Sequence, residues 1–525
     1  MATVLKQLQK VSVMGILAGF WVVVLFFPSF AHALSAEGQA LLEFKSNITD
    51  ANQLLINWDA SDATPCNWTG VNCTSNSVTT LDLWNFNISG PMPPGIFGQL
   101  TNLTHLNVGG TSLNGNIPTD LLNCSKLVFL NMSSTWMAGL LPLDLGEKLP
   151  LLQYLDFSFA SFVGPIPDSV GDLLQLETLK LAETNFSGFL PSSIGNLQNL
   201  RELFMGFNNF TSVPFPSFLA NLVNLETLQL ESVNFTEGPI PEWIGNLTKL
   251  QTLQLKDCNL VGTIPESLAN LTALNWLWLN ANNLSGRIPD IFGRMTNLTG
   301  LDLSQNSLTE EIPPGICQLL AVEYMDLWQN FLSGGIPEGI GNLTKLIRFD
   351  VSQNNMSGTI PPSLGTLQQI EELTLWQNNF TGGIPPQIGD WQYLTDFKIF
   401  QNSFTGNLPY NLGSSTSLTI VDVSMNLLDG LVPPNLCNGN QLTELILFQN
   451  NFSGPLPDTY GNCSALVKVE VYENSLSGPV PIGLWGSPLM QFLTLYDNKF
   501  NGTIGTGIGM ATNLGSLLLN ENAFT

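Results

Sequence analysis

Leucine and isoleucine recur along the chain at a constant interval. In T-N-L-T-G-L-D-L-S-Q-N-S-L-T-E-E-I-P-P-G-I-C-Q-L (residues 296–319), apolar residues alternate at Leu301 and Leu303, return at Leu308 and Ile312, and close the unit at Leu319. Alternation at period two predicts a short strand with the leucines inward and Asp302 outward. The following G-x-I-P type segment predicts a second extended side, its Ile inward and its Pro fixing φ. The pattern L-x-x-L-x-L-x-x-N-x-L-(S/T)-G-x-I-P-x-x-(L/I)-G-x-L returns about nineteen times from residue 77. Asn282, Asn306, Asn330, Asn354, Asn378, Asn402, Asn426, Asn450, Asn474, Asn498 and Asn522 follow one another at 24 residues every time. Such a period predicts stacked copies of one unit, with the strands forming a parallel sheet along one face of a solenoid.

The Asn after the strand turns the chain away from the sheet. Its buried amide is expected to bond backbone groups that have lost strand partners, making a ladder through the stack. At the equivalent place the first eight repeats carry Phe86, Thr111, Thr135, Ala160, Thr184, Asn208, Val233 and Cys258, spaced by 24 or 25. Phe, Ala and Val cannot make the ladder bond, so a less regular N-terminal half is expected.

This unit resembles the plant-type leucine-rich repeat, which implies an α/β repeat solenoid, a superhelix with a parallel β-sheet on its concave face. The resemblance covers residues 77–525. Residues 34–76 resemble the family's N-terminal cap. There E-G-Q-A-L-L-E-F-K-S predicts a helix with Ala40, Leu41 and Phe44 on one face, followed by Asn57-Trp58 and P-C-N-W-T-G-V-N-C. Ahead of it, Lys6 and Lys10, an apolar run from Val11 to Phe30 and Ala31-His32-Ala33 read as a secretory signal over residues 1–33. An uncleaved anchor is the competing reading, because about twenty apolar residues can span a bilayer.

Secretion sets the expectation for the seven cysteines. Cys66 and Cys73 are the one close pair and are expected to form a disulfide in the cap. Cys124, Cys258, Cys317, Cys437 and Cys463 are far apart and are expected to be free core thiols. Twenty N-x-(S/T) sequons occur, and many are by-products of the repeat. Asn47, Asn67, Asn87, Asn209, Asn234, Asn283, Asn355, Asn379 and Asn451 are the candidate glycan carriers; Asn283, Asn355, Asn379 and Asn451 each directly follow a ladder Asn and should point outward.

Charge narrows the partner. Forty-one acidic residues against sixteen basic ones leave a net charge of −25, which removes the footprint that nucleic acid requires. Of two histidines, His32 lies in the presumed signal, so histidine catalysis or zinc binding would rest on His105. With no phosphate loop, no G-x-S-x-G elbow and no metal-ligand cluster, neither an enzyme activity nor a cofactor is expected of this chain. A peptide carrying basic as well as apolar side chains is the better fit.

Any site must lie on the outward strand positions, three per repeat. In repeats nine to eighteen these include Trp276, Trp278, Tyr324, Trp328, Trp376, Phe400, Phe448, Tyr472, Phe492 and Tyr496. Exposed rings with a polar surround are the makings of a binding hot spot, and rings on neighbouring strands stacking for stability are the alternative. Arg348, Asp350, Glu372, Lys468 and Glu470 stand among them. Outward Asp-x-Ser pairs such as Asp302 with Ser304 are expected to be plain solvated strand.

V-P-F-P-S-F-L-A-N-L (213–222), C-N-L-V-G-T-I-P (258–265) and V-E-Y-M-D-L-W-Q-N (322–330), with the cap, resemble the ectodomains of the HAESA-like receptor kinases. That resemblance implies a small secreted peptide on the concave face, a co-receptor with its own leucine-rich-repeat ectodomain, and a place at the extracellular face of the plasma membrane. It also implies a pocket for the peptide's hydroxyproline at Asp326 and Phe349, with Asp350 beside it. Where the family holds the peptide's carboxylate with an Arg-x-Arg pair, this chain has Lys468 and Glu470, and Glu470 would repel a carboxylate. The sequence stops at N-E-N-A-F-T within the nineteenth repeat, so the expectation is a longer receptor whose transmembrane helix and kinase domain lie beyond Thr525. A secreted leucine-rich-repeat protein acting as an enzyme inhibitor or decoy, in the manner of the polygalacturonase inhibitors, is the alternative.

Overall fold

The computed structural model describes residues 34–525. The secretory signal expected over 1–33 lies outside the described residues. Between the two ends of the stack each L-x-L segment forms a three-residue strand, as at Gly300–Asp302 and Tyr324–Asp326, whose middle residue is buried. Nineteen such strands run parallel in sequence order from Ser77–Asp82 to Ser516–Leu518. Pairing goes only to the preceding and following repeat, so the sheet is an open arc, begun by an antiparallel hairpin of Val71–Thr74 with Ser77–Asp82. Leu277, Leu301, Met325, Phe349 and Leu373 are direct partners across five strands, a one-to-one register that puts every side chain of a column on the same face.

The opposite side is built from I-P. Its proline sits extended just before a 3-10 turn, as in Glu338–Asn342 after Pro337. Between the two sides, short strands such as Asn451–Gly454 make a second row, which falls into three sheets. Its first break follows Asn209–Phe210, where V-P-F-P replaces the usual G-x-I-P and Phe215 packs on Phe235 and Trp243 at 4.9 and 5.8 Å.

The ladder holds the stack. Asn306 Nδ2 donates to the carbonyls of Leu279 in the preceding repeat and of Leu303 and Ser304 in its own, at 3.0, 3.1 and 3.1 Å. Its Oδ1 accepts the Leu284 N–H of the preceding repeat at 3.0 Å. In the N-terminal half threonine takes over part of this role. Thr111 and Thr135 donate to Val108 and Met132 at 2.7 Å, carbonyls of their own repeat. The strand register of the concave sheet nevertheless stays unbroken there, carried by main-chain pairing from repeat to repeat.

Ser35 caps the first helix, Ala36–Asn47, by accepting from Gly38 N–H, and Ala40, Leu41 and Phe44 are its buried face. Glu37 ties that helix to the first parallel strand through Ser77 Oγ at 2.7 Å and Val78 N–H at 3.0 Å. Cys66 and Cys73 are bonded. The other cysteines divide: Cys124, Cys258 and Cys317 are free and buried, whereas Cys437 and Cys463 form a second disulfide. This corrects the free-thiol reading. A separation of 26 is one repeat plus two residues, so the pair occupies different positions of the unit and comes together only when neighbouring repeats stack.

Two outcomes are expected. Asn330→Ala strands the buried Leu308 N–H, whose acceptor is Asn330 Oδ1, and should cost about 1–3 kcal/mol with faster hydrogen exchange at Leu308. Asn330→Thr, which can keep the bond to Leu327, should cost less in the same thermal and exchange measurements. Replacing Cys437 and Cys463 by serine removes a 26-residue closure and should cost about 3 kcal/mol in chemical denaturation.

Candidate ligand-binding site

Strand register arranges the concave side chains in rows. One row runs Trp276, Gly300, Tyr324, Arg348, Glu372, and the next runs Trp278, Asp302, Asp326, Asp350. Gly300 is the gap in the first row. A Cβ there would lie 2.2 Å from the Trp276 ring, so the absence of a side chain lets that indole lean over the strand. Trp276 thus comes within 6.0 Å of Tyr324, stacked across the intervening strand, and Trp278 meets Trp276 edge-on at 6.1 Å. These rings, Asp302, Asp326, Arg348, Glu371 and Glu372 enclose a hollow of about 350 Å³.

Its electrostatics centre on Arg348. The guanidinium is 2.7 Å from Asp326, 3.4 Å from Glu372 and 3.7 Å from Asp350. Even so, burial pushes the Asp326 carboxyl up to about 7: loss of water outweighs the nearby Arg348, and the like charges of Asp302 and Asp350 add to it. Asp302 is raised for the same first reason. The expectation of a plain solvated Asp-x-Ser strand is therefore corrected. Asp302 Oδ1 accepts from both the N–H and the hydroxyl of the buried Ser304, at 3.0 and 2.6 Å, and Asp350 does the same with Ser352.

Residues 34–74 match the leucine rich repeat N-terminal domain, and seven segments between 175 and 391 match the leucine rich repeat. Among curated proteins, the chain is 35% identical over 105 residues to the receptor-like protein kinase HSL1 of Arabidopsis thaliana. It is 43% identical over 96 residues to the leucine-rich repeat receptor-like serine/threonine-protein kinase At1g17230 of the same plant. These matches take in 20% and 18% of this chain, and span 10% and 9% of the two kinases. A solved structure of the Arabidopsis receptor kinase HAESA, with the peptide hormone IDA and the co-receptor SERK1, is 36% identical at a TM-score of 0.66, over 94% of this chain and 74% of that one. The chain belongs to the plant leucine-rich-repeat receptor-kinase family. The PEPR1–AtPEP1 structure is 30% identical at a TM-score of 0.78, over 94% of this chain and 76% of that one.

Within this solenoid the hollow gathers Trp276, Trp278, Tyr324, Asp326, Arg348 and Glu372 from the expected site. It leaves the others out. Phe349 is a correction: it is the inward residue of its strand, wholly buried in the core, and cannot line a concave pocket. Asp350 is buried against Ser352. Trp328 is half-buried beyond the hollow. Trp376 stacks on Phe400 at 4.9 Å, and Phe448, Tyr472 and Tyr496 stack in file at 4.5 Å each. Lys468 and Glu470 pair with each other at 3.1 Å. The nine candidate glycan asparagines are all exposed, while another sequon residue, Asn131, is buried on the concave sheet.

The sequence reading missed Gly300 and Asp302 as parts of the site, and a second concave region near the cap. There His105, Phe129 and Tyr154 stack at 5.8 and 4.3 Å, and Lys180 lies 4.5 Å above the Phe204 ring. Trp84, Phe159, Phe204 and Phe207 wall a hollow of about 420 Å³ with Lys180 and Glu231. Extending the count of outward positions to repeats one to eight would have found most of these rings.

The raised Asp326 carboxyl carries a pH signature. The folded chain holds its proton up to about pH 7, whereas an unfolded aspartate releases it near 4, so this group's contribution to stability is present below about pH 4 and is lost as pH rises toward 7. Asp326→Asn should remove that loss. The melting temperature of the variant relative to the wild type should rise by about one to two degrees between acid and neutral pH.

Proposed function

We propose that the concave face binds a small secreted peptide, and that the hollow between Trp276 and Arg348 is its main anchoring site. The single observation behind this is the hollow itself, in which partly exposed rings and desolvated charges meet on a surface that no other part of the described chain covers. Aromatic anchors beside buried charges are the usual composition of a hot spot. The solved ectodomains most relevant to it carry peptide ligands: HAESA with IDA and PEPR1 with AtPEP1. On this reading, the stacked rings from Trp376 to Tyr496 are the walls along which an extended peptide continues. The carboxylate end of that peptide is not held by a double arginine, because Lys468 already has Glu470 for a partner.

The same reading takes residues 1–33 as the signal, 34–76 as the cap and 77–525 as the repeats of an ectodomain at the extracellular face of the plasma membrane. A co-receptor with its own leucine-rich-repeat ectodomain would join once peptide is bound, as the co-receptor SERK1 accompanies IDA in the HAESA complex. A kinase domain outside this chain would carry the signal onward.

Titrating a library of secreted plant peptides against the glycosylated ectodomain tests the site. Trp276→Ala with Tyr324→Ala should weaken the peptides that bind wild type by tenfold or more, about 1.4 kcal/mol or above. Trp376→Ala should do less and show mainly as lower thermal stability. Unchanged affinity in the first variant would move the site off this hollow.

A further inference from the structure

Resting on the reading that this hollow binds a peptide, we propose that the ligand group it receives is a cation: a lysine or arginine side chain, or an N-terminal ammonium. The strand grid makes the case. Trp276, Gly300 and Tyr324 lie side by side in one row, with Trp278, Asp302 and Asp326 beneath them in the next. Because Gly300 contributes no side chain, the Trp276 indole leans over it toward Tyr324 and fills its place. The stacked rings therefore form one wall of the hollow, with the Asp302 carboxylate at the next outward position of the strand they cover. Such a site binds organic cations through ring faces and ion pairing together.

Charge balance points the same way. Four carboxylates line the hollow, those of Asp302, Asp326, Glu371 and Glu372, against one cation, Arg348. Arg348 is already divided among Asp326, Asp350 and Glu372. Asp302 makes no ion pair; Ser304 bonds only its Oδ1, leaving Oδ2 without a protein donor among the described residues. A metal ion is a poor answer to this excess, since no three metal-ligating side chains converge among the described residues. Arg348 is the internal example: the one protein cation that reaches the hollow is held there by three carboxylates.

A cation arriving here must meet ionised aspartate. Asp326 is faced by Asp302 and Trp278 from one side, by Arg348 and Asp350 from the other, and by Tyr324 on its own strand; Glu372 lies beyond Arg348 and Lys256 acts on Asp302. Its carboxyl is half-protonated near pH 7. Binding a cation releases that proton, so affinity should increase as pH rises from about 5 to about 8.

The test uses two positional-scanning libraries of short C-amidated peptides, one N-acetylated and one with free N-termini, against the glycosylated ectodomain. Retained peptides should share one position at which Lys or Arg is preferred over Gln, Leu or Pro by about tenfold. If the ammonium is the source, retention should instead be confined to the free N-termini. Asp302→Asn with Asp326→Asn should abolish the preference and flatten the pH dependence, while leaving weaker, uncharged peptide binding. Gly300→Ala, which displaces the Trp276 ring, should abolish the preference too, and it serves if the double variant fails to fold. Peptides retained without any preference for a cation, or with one indifferent to these variants, would overturn the proposal and leave peptide binding standing. Retention of no peptide at all would overturn both.

Discussion

From Asn282 onward, one amide per repeat ties each turn to the one before it. From Asn282 to Asn522 the side chain donates to a carbonyl of the preceding repeat and to two of its own, and from Asn282 onward its Oδ1 takes up an N–H of the preceding repeat. A chain leaving a three-residue strand exposes main-chain groups that water cannot reach in the middle of a stack. An unpaired buried group costs as much as a lost hydrogen bond, so one asparagine that serves two turns removes several penalties at once. With the turns joined at a fixed offset, each strand residue must face its equivalent in the next repeat. Columns of like positions follow, and on the concave face those columns are the surface a ligand meets.

The first repeats obtain the same register by other means. Thr111 and Thr135 satisfy a carbonyl of their own turn but do not reach the preceding one, and Phe86, Ala160 and Val233 offer no side-chain bond there. Main-chain pairing and the apolar column carry the stack through this half, closed at its end by the capped helix, by Trp58 stacked on Trp68 and by the Cys66–Cys73 bridge. Regularity is therefore a property of the backbone sheet, with the amide ladder as unbroken reinforcement from Asn282 onward. Near the other end, the Cys437–Cys463 bridge joins neighbouring repeats where two of the 3-10 turns are replaced by looser ones.

On the concave face, self-stacking and binding divide the rings between them. Trp376 with Phe400, and Phe448 with Tyr472 and Tyr496, are in near-parallel contact and satisfy one another. Trp276 and Tyr324 stack across a glycine, and the hollow beside them is bordered by carboxylates, of which burial pushes Asp326 up to about 7. The distinction rests on one missing side chain at position 300, set in a row where every neighbour is large.

The 24-residue spacing, the L-x-L alternation and the I-P segment were enough to establish the solenoid, the inward leucines and the outward columns, because in a repeat every contact is a copy of a contact one period away. The cap helix and its disulfide were legible for a related reason, being local in sequence. What tertiary structure decided lay between repeats and off the period. It paired Cys437 with Cys463, turned Phe349 into the core and drew Asp302 out of solvent against Ser304 and Asp326. It also set Trp276 over Gly300. A periodic pattern specifies which column a residue occupies, whereas the conformation, desolvation and pairing of its side chain depend on which residues the adjoining columns place beside it.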